Sequence, residues 1–348
     1  MYKPPIKQPI QREPETTKKR VPRKKPKKKF RRRVFSLFLG LCYIYISTAL
    51  IVFKGPYQNV KDYALQSLGT TQHPKLWISL FSLNSVSAAE IAKYAAGSGQ
   101  PLVNSSGNAA SLGNFGAIKD NSIQIDDYKD NTFSAKIMLV RDPKRIKVGV
   151  TNQIGKVGQT VSEMVRDNNA VAGVNGGSFQ DVGWHGTGGI PLGTTIHDGN
   201  YYATSENSNV IGITANGSLI SGKYSAQELQ NMGVNEALSF GPILVKDGQG
   251  LVRGNGGWGN APRTAIGQKA DGTIIFIVTD GRFVHGPQNL GATLHDIQDL
   301  MLKYGAVTAV NLDGGSSATM VYNGKLVNEP SDVLGERKVA TSFIVMPE

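Results

Sequence analysis

Two glycine turns, three arginines and two carboxylates are the residues of this chain whose types and settings suit chemistry. The segments AVAGVNGGSF (170–179) and AVTAVNLDGGSS (306–317) each run an apolar stretch into asparagine and a glycine pair. Glycine at a strand end lets backbone N–H groups approach an anion or a sugar closely. A tight structural turn is the alternative reading of either segment. Arg263 sits in NAPRTAIG, Arg282 in VTDGR and Arg337 in GERKVATSF. A guanidinium binds phosphate through two parallel hydrogen bonds, so arginines converging on one pocket suit a phosphorylated substrate. Singly, an arginine serves as well at the surface or in an ion pair. Asp280 and Asp313 each follow an apolar run and precede glycine, a position where a sheet edge can present a carboxylate to a cleft. An Asx turn is the plain structural alternative for both. Asp181 and Glu329 are further carboxylates near these turns.

Other chemistries find less support. The five histidines, His73, His185, His197, His285 and His295, show no HExxH or comparable spacing, which argues against a histidine-based zinc site. No cofactor is called for, and a divalent cation is left open. Ser178, Ser316 and Ser317 lack the strand-turn-helix setting of a nucleophile elbow, so their hydroxyls are read as substrate contacts or backbone caps. The only cysteine, Cys42, lies in an apolar run and leaves the rest of the chain without thiol chemistry or disulfides.

The elements that must position these residues are mostly strands. Short β-like runs occur at 133–140, 145–150 and 273–280, separated by turn signals. Asn216-Gly217, Asp271-Gly272 and Asn323-Gly324 each lie between two such runs and tolerate the positive φ of a tight hairpin. Residues 159–168 read as a helix. A second helix is capped by Thr293 with Asp296 three residues on, carries Leu294, Ile297, Leu300 and Met301 on its apolar face, and ends at Gly305. The pattern predicts an α+β class: a strand-rich mixed-sheet domain with a few packed helices, over residues 120–348, preceded by one transmembrane helix.

The N-terminal region differs in kind. Residues 1–33 hold 15 Lys or Arg against two acids, whereas the remainder holds 23 against 24. The net charge of +12 therefore belongs to a tail, and the near-neutral body offers no footprint for nucleic acid. Residues 34–53 are 20 consecutive uncharged residues, the length of a membrane-crossing helix. The basic flank places residues 1–33, read as a disordered tail, in the cytoplasm and the C-terminal domain outside it. A cleaved signal peptide fits less well, because the apolar run is longer than the usual core of roughly 7–15 residues. Residues 54–119 read as a membrane-proximal helical stalk and a Gly/Ser/Asn-rich linker. Lipid is thus one expected partner, through residues 34–53; oligomeric state is left open.

Five segments, taken together and in order, resemble the phosphodiester glycosidase family: AVAGVNGGSF, SFGPILVKDG, PRTAIGQKADGTIIFIVTDGR, NLDGGSSATMVYNGKLVNEP and ERKVATSFIV. The resemblance covers about residues 120–348 and implies a cleft lined by Asn175, Gly176, Gly177, Arg263, Thr264, Asp280, Arg282, Asp313, Gly314, Gly315 and Ser316. Ser178 and Arg337 are added as substrate contacts. The implied reaction is hydrolysis of the glycosidic bond in a sugar-1-phosphodiester of a cell-surface glycan or exopolysaccharide. Arginines would stabilise the departing phosphate, and a carboxylate, Asp313 first and Asp280 second, would stabilise the oxocarbenium-like centre or activate water. The alternatives are a glycopolymer phosphotransferase and a non-catalytic glycan-binding or assembly protein.

Overall fold

The computed structural model describes residues 28–57, 74–87, 113–180, 187–206, 208–286, 288–331 and 335–348, with scattered positions between 60 and 111. The basic tail up to residue 27 and the carboxylate Asp181 lie outside the described residues. Helix α1 (Lys28–Lys54) begins inside the basic run and continues through the uncharged segment. Its stretch Arg31–Lys54 is 24 residues, with a mean hydropathy of 2.1 over its most apolar 18 residues. At 1.5 Å per residue this is about 36 Å, more than the roughly 30 Å of a hydrocarbon core. The helix is long and apolar enough to cross a membrane or to act as a signal sequence. A short helix, α2 (Pro74–Phe81), lies in the region read as a stalk.

The strands follow in chain order: β1 (Ala109–Ala110), β2 (Ile123–Lys129), β3 (Ser134–Val140), β4 (Ile146–Val150), β5 (Ala172–Asn175), β6 (Thr195–His197), β7 (Asn200–Ala203), β8 (Val210–Thr214), β9 (Leu219–Gly222), β10 (Val234–Ser239), β11 (Ile243–Lys246), β12 (Gln249–Gly250), β13 (Thr264–Lys269), β14 (Ile274–Thr279), β15 (Ala306–Leu312), β16 (Met320–Tyr322), β17 (Lys325–Leu326) and β18 (Thr341–Val345). They form three sheets, ordered β1, β9, β8, β10, β6, β7; then β12, β11, β15, β13, β14, β3, β2; and β17, β16, β5, β18, β4. The strand-rich α+β class is as the sequence predicts. The sheets, expected to be mixed, pair antiparallel throughout the described strands, for example β13 with β14 and β15, and β18 with β4 and β5. Tight hairpins favour this arrangement, since a parallel pair needs a long crossover. All three predicted hairpins are present, at β8–β9, β13–β14 and β16–β17. Gly217, Gly272 and Asn323 take positive φ in their turns.

The seven-stranded sheet is buried on both faces. Met138, Ile266, Phe276, Val310 and Leu312 pack with Val148, Val174, Phe343, Ile211 and Leu238 from the other two sheets. The alternate residues Ile137, Leu139, Ala265, Ile275 and Ala309 pack under Leu294, Ile297, Leu300 and Met301. The period-2 alternation of a strand thus feeds two cores. The covering helix, α5 (Leu294–Lys303), has the predicted capping box of Thr293 and Asp296, and Gly305 takes φ +83° just beyond its end. Helix α3 (Val161–Asp167) is likewise boxed, by Thr160 and Glu163. A further helix, α4 (Ala226–Asn231), was not expected from the sequence. Within the stretch read as linker, Ala109–Ala110 pair with β9 as an edge strand.

Candidate active site

The sheet register brings the singled-out residues to one end of the seven-stranded sheet. Thr264 pairs with Val278 on β14 and with Leu312 on β15. One residue further out, Arg263 lies between the strand ends that carry Asp280 and Asp313. Neighbouring strands are about 4.8 Å apart, so Arg263 and Asp313 leave the sheet side by side, with Asp280 one residue past Thr279 on the other neighbouring strand. The backbone N–H of Thr279 donates to Arg263 O (2.9 Å), and Arg263 N–H donates to Thr279 Oγ1 (2.8 Å), which extends the pairing to the sheet's edge.

Asn175, at the end of β5, fastens the five-stranded sheet to this row. Its side chain is fully buried. Oδ1 accepts from Thr264 Oγ1 (2.7 Å) and from the Thr319 N–H (3.1 Å), while Nδ2 donates to Asp313 O (2.6 Å). The Asp313 N–H donates to Gly176 O (3.2 Å), so the aspartate's backbone is held from both sides. Its carboxylate is half-buried, and Oδ1 accepts from the Gly314 N–H at 3.0 Å.

The two glycine pairs are used differently from a simple anion cradle. Gly176 N–H donates to Thr341 O (3.0 Å) and Gly177 N–H to Thr341 Oγ1 (3.0 Å). A Cβ on Gly177 would lie 2.5 Å from Ser239 O, and one on Gly176 would lie 2.8 Å from Leu238 Cδ2. These glycines therefore permit close packing, and their donors are already engaged within the protein. Ser178 Oγ is within reach of the carbonyls of Leu192 and Ser239. In the second turn, Gly315 takes φ +61° and its N–H donates to Pro262 O (2.8 Å), while a Cβ on Gly314 would lie 2.6 Å from the same oxygen. Ser316 Oγ accepts from Arg337 Nη1 (3.1 Å), and the Arg337 guanidinium lies 4.9 Å over the Phe179 ring.

Arg263 and Arg282 act on loops. Arg263, only 4% exposed, donates through Nε to Ala292 O (3.1 Å) and through Nη2 to Gly259 O (2.7 Å). Arg282 donates through Nε to Leu290 O (3.1 Å) and through Nη2 to Asn260 O. Each guanidinium thus ties the loop before β13 to the loop before α5. Among the described residues, no carboxylate lies within ion-pair distance of Arg263. Burial lowers its pKa to about 10, partly offset by the field of Asp296. It remains charged at neutral pH.

Asp280 is buried and already employed. Oδ1 accepts from the Glu329 N–H (2.9 Å), and Oδ2 lies 2.8 Å from His285 Nε2. Asp280, expected as the second-choice catalytic carboxylate, is thus buried with a histidine at its Oδ2. His285, 36% exposed, was not singled out from the sequence. Its signal is faint: a histidine five residues after an aspartate that ends an apolar strand. The 2.8 Å contact between Nε2 and Asp280 Oδ2 fixes the orientation of the imidazole ring.

Among the described residues one trio of metal-ligand types comes together, His197, Asp198 and Glu236. Lys147 Nζ already bonds Asp198 (2.6 Å) and Glu236 (3.1 Å), so the acids have their cation. The trio lies on the six-stranded sheet, away from the row of Arg263 and Asp313, and supports no metal in this site.

Residues 168–346 match the phosphodiester glycosidase family. The chain belongs to that family. A prophage-derived uncharacterized protein, YomE, of Bacillus subtilis is 30% identical over 219 residues, which is 60% of this chain and 32% of that protein. The human N-acetylglucosamine-1-phosphodiester alpha-N-acetylglucosaminidase is 29% identical over 194 residues, 50% of this chain and 36% of the enzyme. This chain thus spans about a third of the length of these curated relatives. The catalytic domain of the zebrafish enzyme of that name, auto-inhibited by its pro-peptide, superposes with a TM-score of 0.59 at 23% identity, covering 70% of this chain and 89% of that one. That likeness concerns the fold. Membership of the phosphodiester glycosidases supports hydrolysis of a phosphodiester-linked sugar, and the matched segment contains every candidate from Asn175 to Arg337.

Proposed function

We propose that this protein is a membrane-anchored hydrolase, its domain outside the cytoplasm, that cleaves the glycosidic bond of sugar-1-phosphodiesters in cell-surface or exopolysaccharide glycans. The observation that carries the reading is the placing, at the ends of adjacent strands, of a half-buried Asp313, its backbone clamped by Asn175 and Gly176, and of Arg263, a buried guanidinium with no carboxylate within ion-pair distance among the described residues. An anionic leaving group supplies the missing counter-charge. In this mechanism Asp313 faces the anomeric carbon and stabilises its developing positive charge, either as nucleophile or by activating water. The phosphate lies over the end of β13, in the field of Arg263. His285, oriented by Asp280, serves the proton of the departing phosphate side. Arg337, held against Phe179 and Ser316, borders the Asp313 turn and suits a further phosphate or hydroxyl contact. The anchored topology is supported by the basic run ahead of α1 and by the length of that helix.

The test is incubation of the full-length protein, in detergent, with a GlcNAc-1-phosphodiester and related donors, with both products identified. Free sugar and phosphomonoester are expected. For Asp313→Asn, which keeps shape and removes charge, turnover should fall by about two orders of magnitude or more, the scale of losing a general base. A folded variant with near-normal turnover would remove Asp313 from the mechanism.

A further inference from the structure

We propose that α2 lies in the lipid–water interface with Leu76, Trp77, Leu80 and Phe81 against the bilayer, a second lipid contact beside α1. The proposal rests on the reading of α1 as a membrane span. Helix α2, PKLWISLF, is inside out for a helix on a soluble surface. Its one fully buried apolar side chain is Ile78, while Leu76 is 61% and Leu80 52% exposed, and Trp77 and Phe81 are also exposed. At about 100° per residue these four exposed side chains fall within roughly 140° of arc, with Ile78 on the other side. They make a continuous stripe rather than scattered exposed residues, and such stripes mark a partner surface. Trp77 and Phe81 stack at 6.0 Å with their rings 22° apart, so the stripe holds its shape.

The position of the helix selects the partner. Ile78 packs in one cluster with Phe53, Leu65 and Val86, all within the unit that begins at Ala49. Phe53 is the last apolar residue of the uncharged segment before Lys54. Packing on Phe53 holds α2 at the level where α1 leaves the hydrocarbon. Tryptophan and phenylalanine are favoured at that level, and a helix in the interface buries its apolar face about 5–10 Å below the headgroups.

The experiment uses the full-length protein in lipid vesicles, carrying Cys42→Ser and a single nitroxide label at Leu80→Cys. Label depth is read from relaxation by lipid-dissolved oxygen against a water-soluble nickel chelate. Native Cys42 labelled alone reports α1, and Gln227→Cys, on the exposed side of α4, gives the aqueous reference. Expected are a deep label at Cys42, an aqueous one at Gln227→Cys and a Leu80→Cys label about 5–10 Å below the headgroups. Leu76→Cys should read alike and guards against misfolding at one position. Deep Cys42 with aqueous Leu80→Cys and Leu76→Cys overturns the proposal and leaves the anchor intact. Labels shielded from both reagents place a protein on the stripe and also overturn it. A Cys42 label outside lipid overturns the anchor and this proposal together.

Discussion

Asn175→Asp isolates the clamp on Asp313 with almost no change of shape. The carboxamide orientation is fixed by its partners: the Thr319 N–H can only donate, and the Asp313 carbonyl can only accept. A carboxylate at residue 175 would keep the bonds from Thr264 and Thr319 but set an anionic oxygen against Asp313 O at the present 2.6 Å. The variant avoids this by holding a proton, which then donates to Asp313 O. The folded-state pKa is thereby raised, so the native state binds the extra proton and the variant loses stability as pH rises. From an unfolded value of about 3.9, retaining the proton costs about 4 kcal/mol at pH 7, about 1.5 kcal/mol at pH 5 and little below pH 4. Urea unfolding of wild type and variant across this range reads the difference directly. A gap under about 1 kcal/mol at pH 7, or one that does not change with pH, would refute the clamp.

Two further outcomes follow from named contacts. Asp280→Asn and His285→Gln should each lower turnover by about 10²–10⁴-fold, and the double variant should be little worse than either, because the two side chains work as one unit; independent, multiplying effects would separate them. At the six-stranded sheet, Glu236 holds the His197 pKa above its usual value, against the opposing effect of burial, with Asp198 adding to the rise and Lys147 opposing it. The stability this gives is fully present below about pH 6.5 and is lost as pH rises through the raised folded value, so His197→Asn should cost more at about pH 5.5 than at about pH 9. A reversed trend in melting temperature would count against that network.

Legibility in the sequence tracked how local each cause was. Helix α5 could be read because its cap, apolar period and terminal glycine all lie within Thr293 to Gly305. The hairpins could be read because Asn-Gly and Asp-Gly set their own turns. Helix α4 was missed because six residues with one buried apolar side chain, Leu229, show no period. The Ala109–Ala110 strand was missed because its order comes from β9, far along the chain. At the site, the residue types pointed to Asn175, Arg263, Asp280 and Asp313. Their partners did not: Thr341 takes the donors of the first glycine turn, and backbone carbonyls take Arg263 and Arg282. Those contacts join segments far apart in the chain and exist only once the sheets have formed.

The strand order itself argues for a direction of attack. Asp313 follows β15, Arg263 precedes β13 and Asp280 follows β14, so the strand that carries the cation runs between the two that carry the carboxylates. A guanidinium with a pKa near 10 is still protonated at pH 7, and in a buried setting its field is weakly screened. Asp280 is buried against His285 and the Glu329 N–H, whereas Asp313 is only half-buried. On the proposed function, a phosphodiester would be drawn to the middle strand and repelled from Asp313, so its sugar, not its phosphate, would come to rest over β15. The anomeric carbon would then lie on the Asp313 side and the departing oxygen on the Arg263 side. That order places negative charge where the sugar becomes positive and positive charge where the phosphate becomes more negative, the complementarity that lowers the barrier to C–O cleavage.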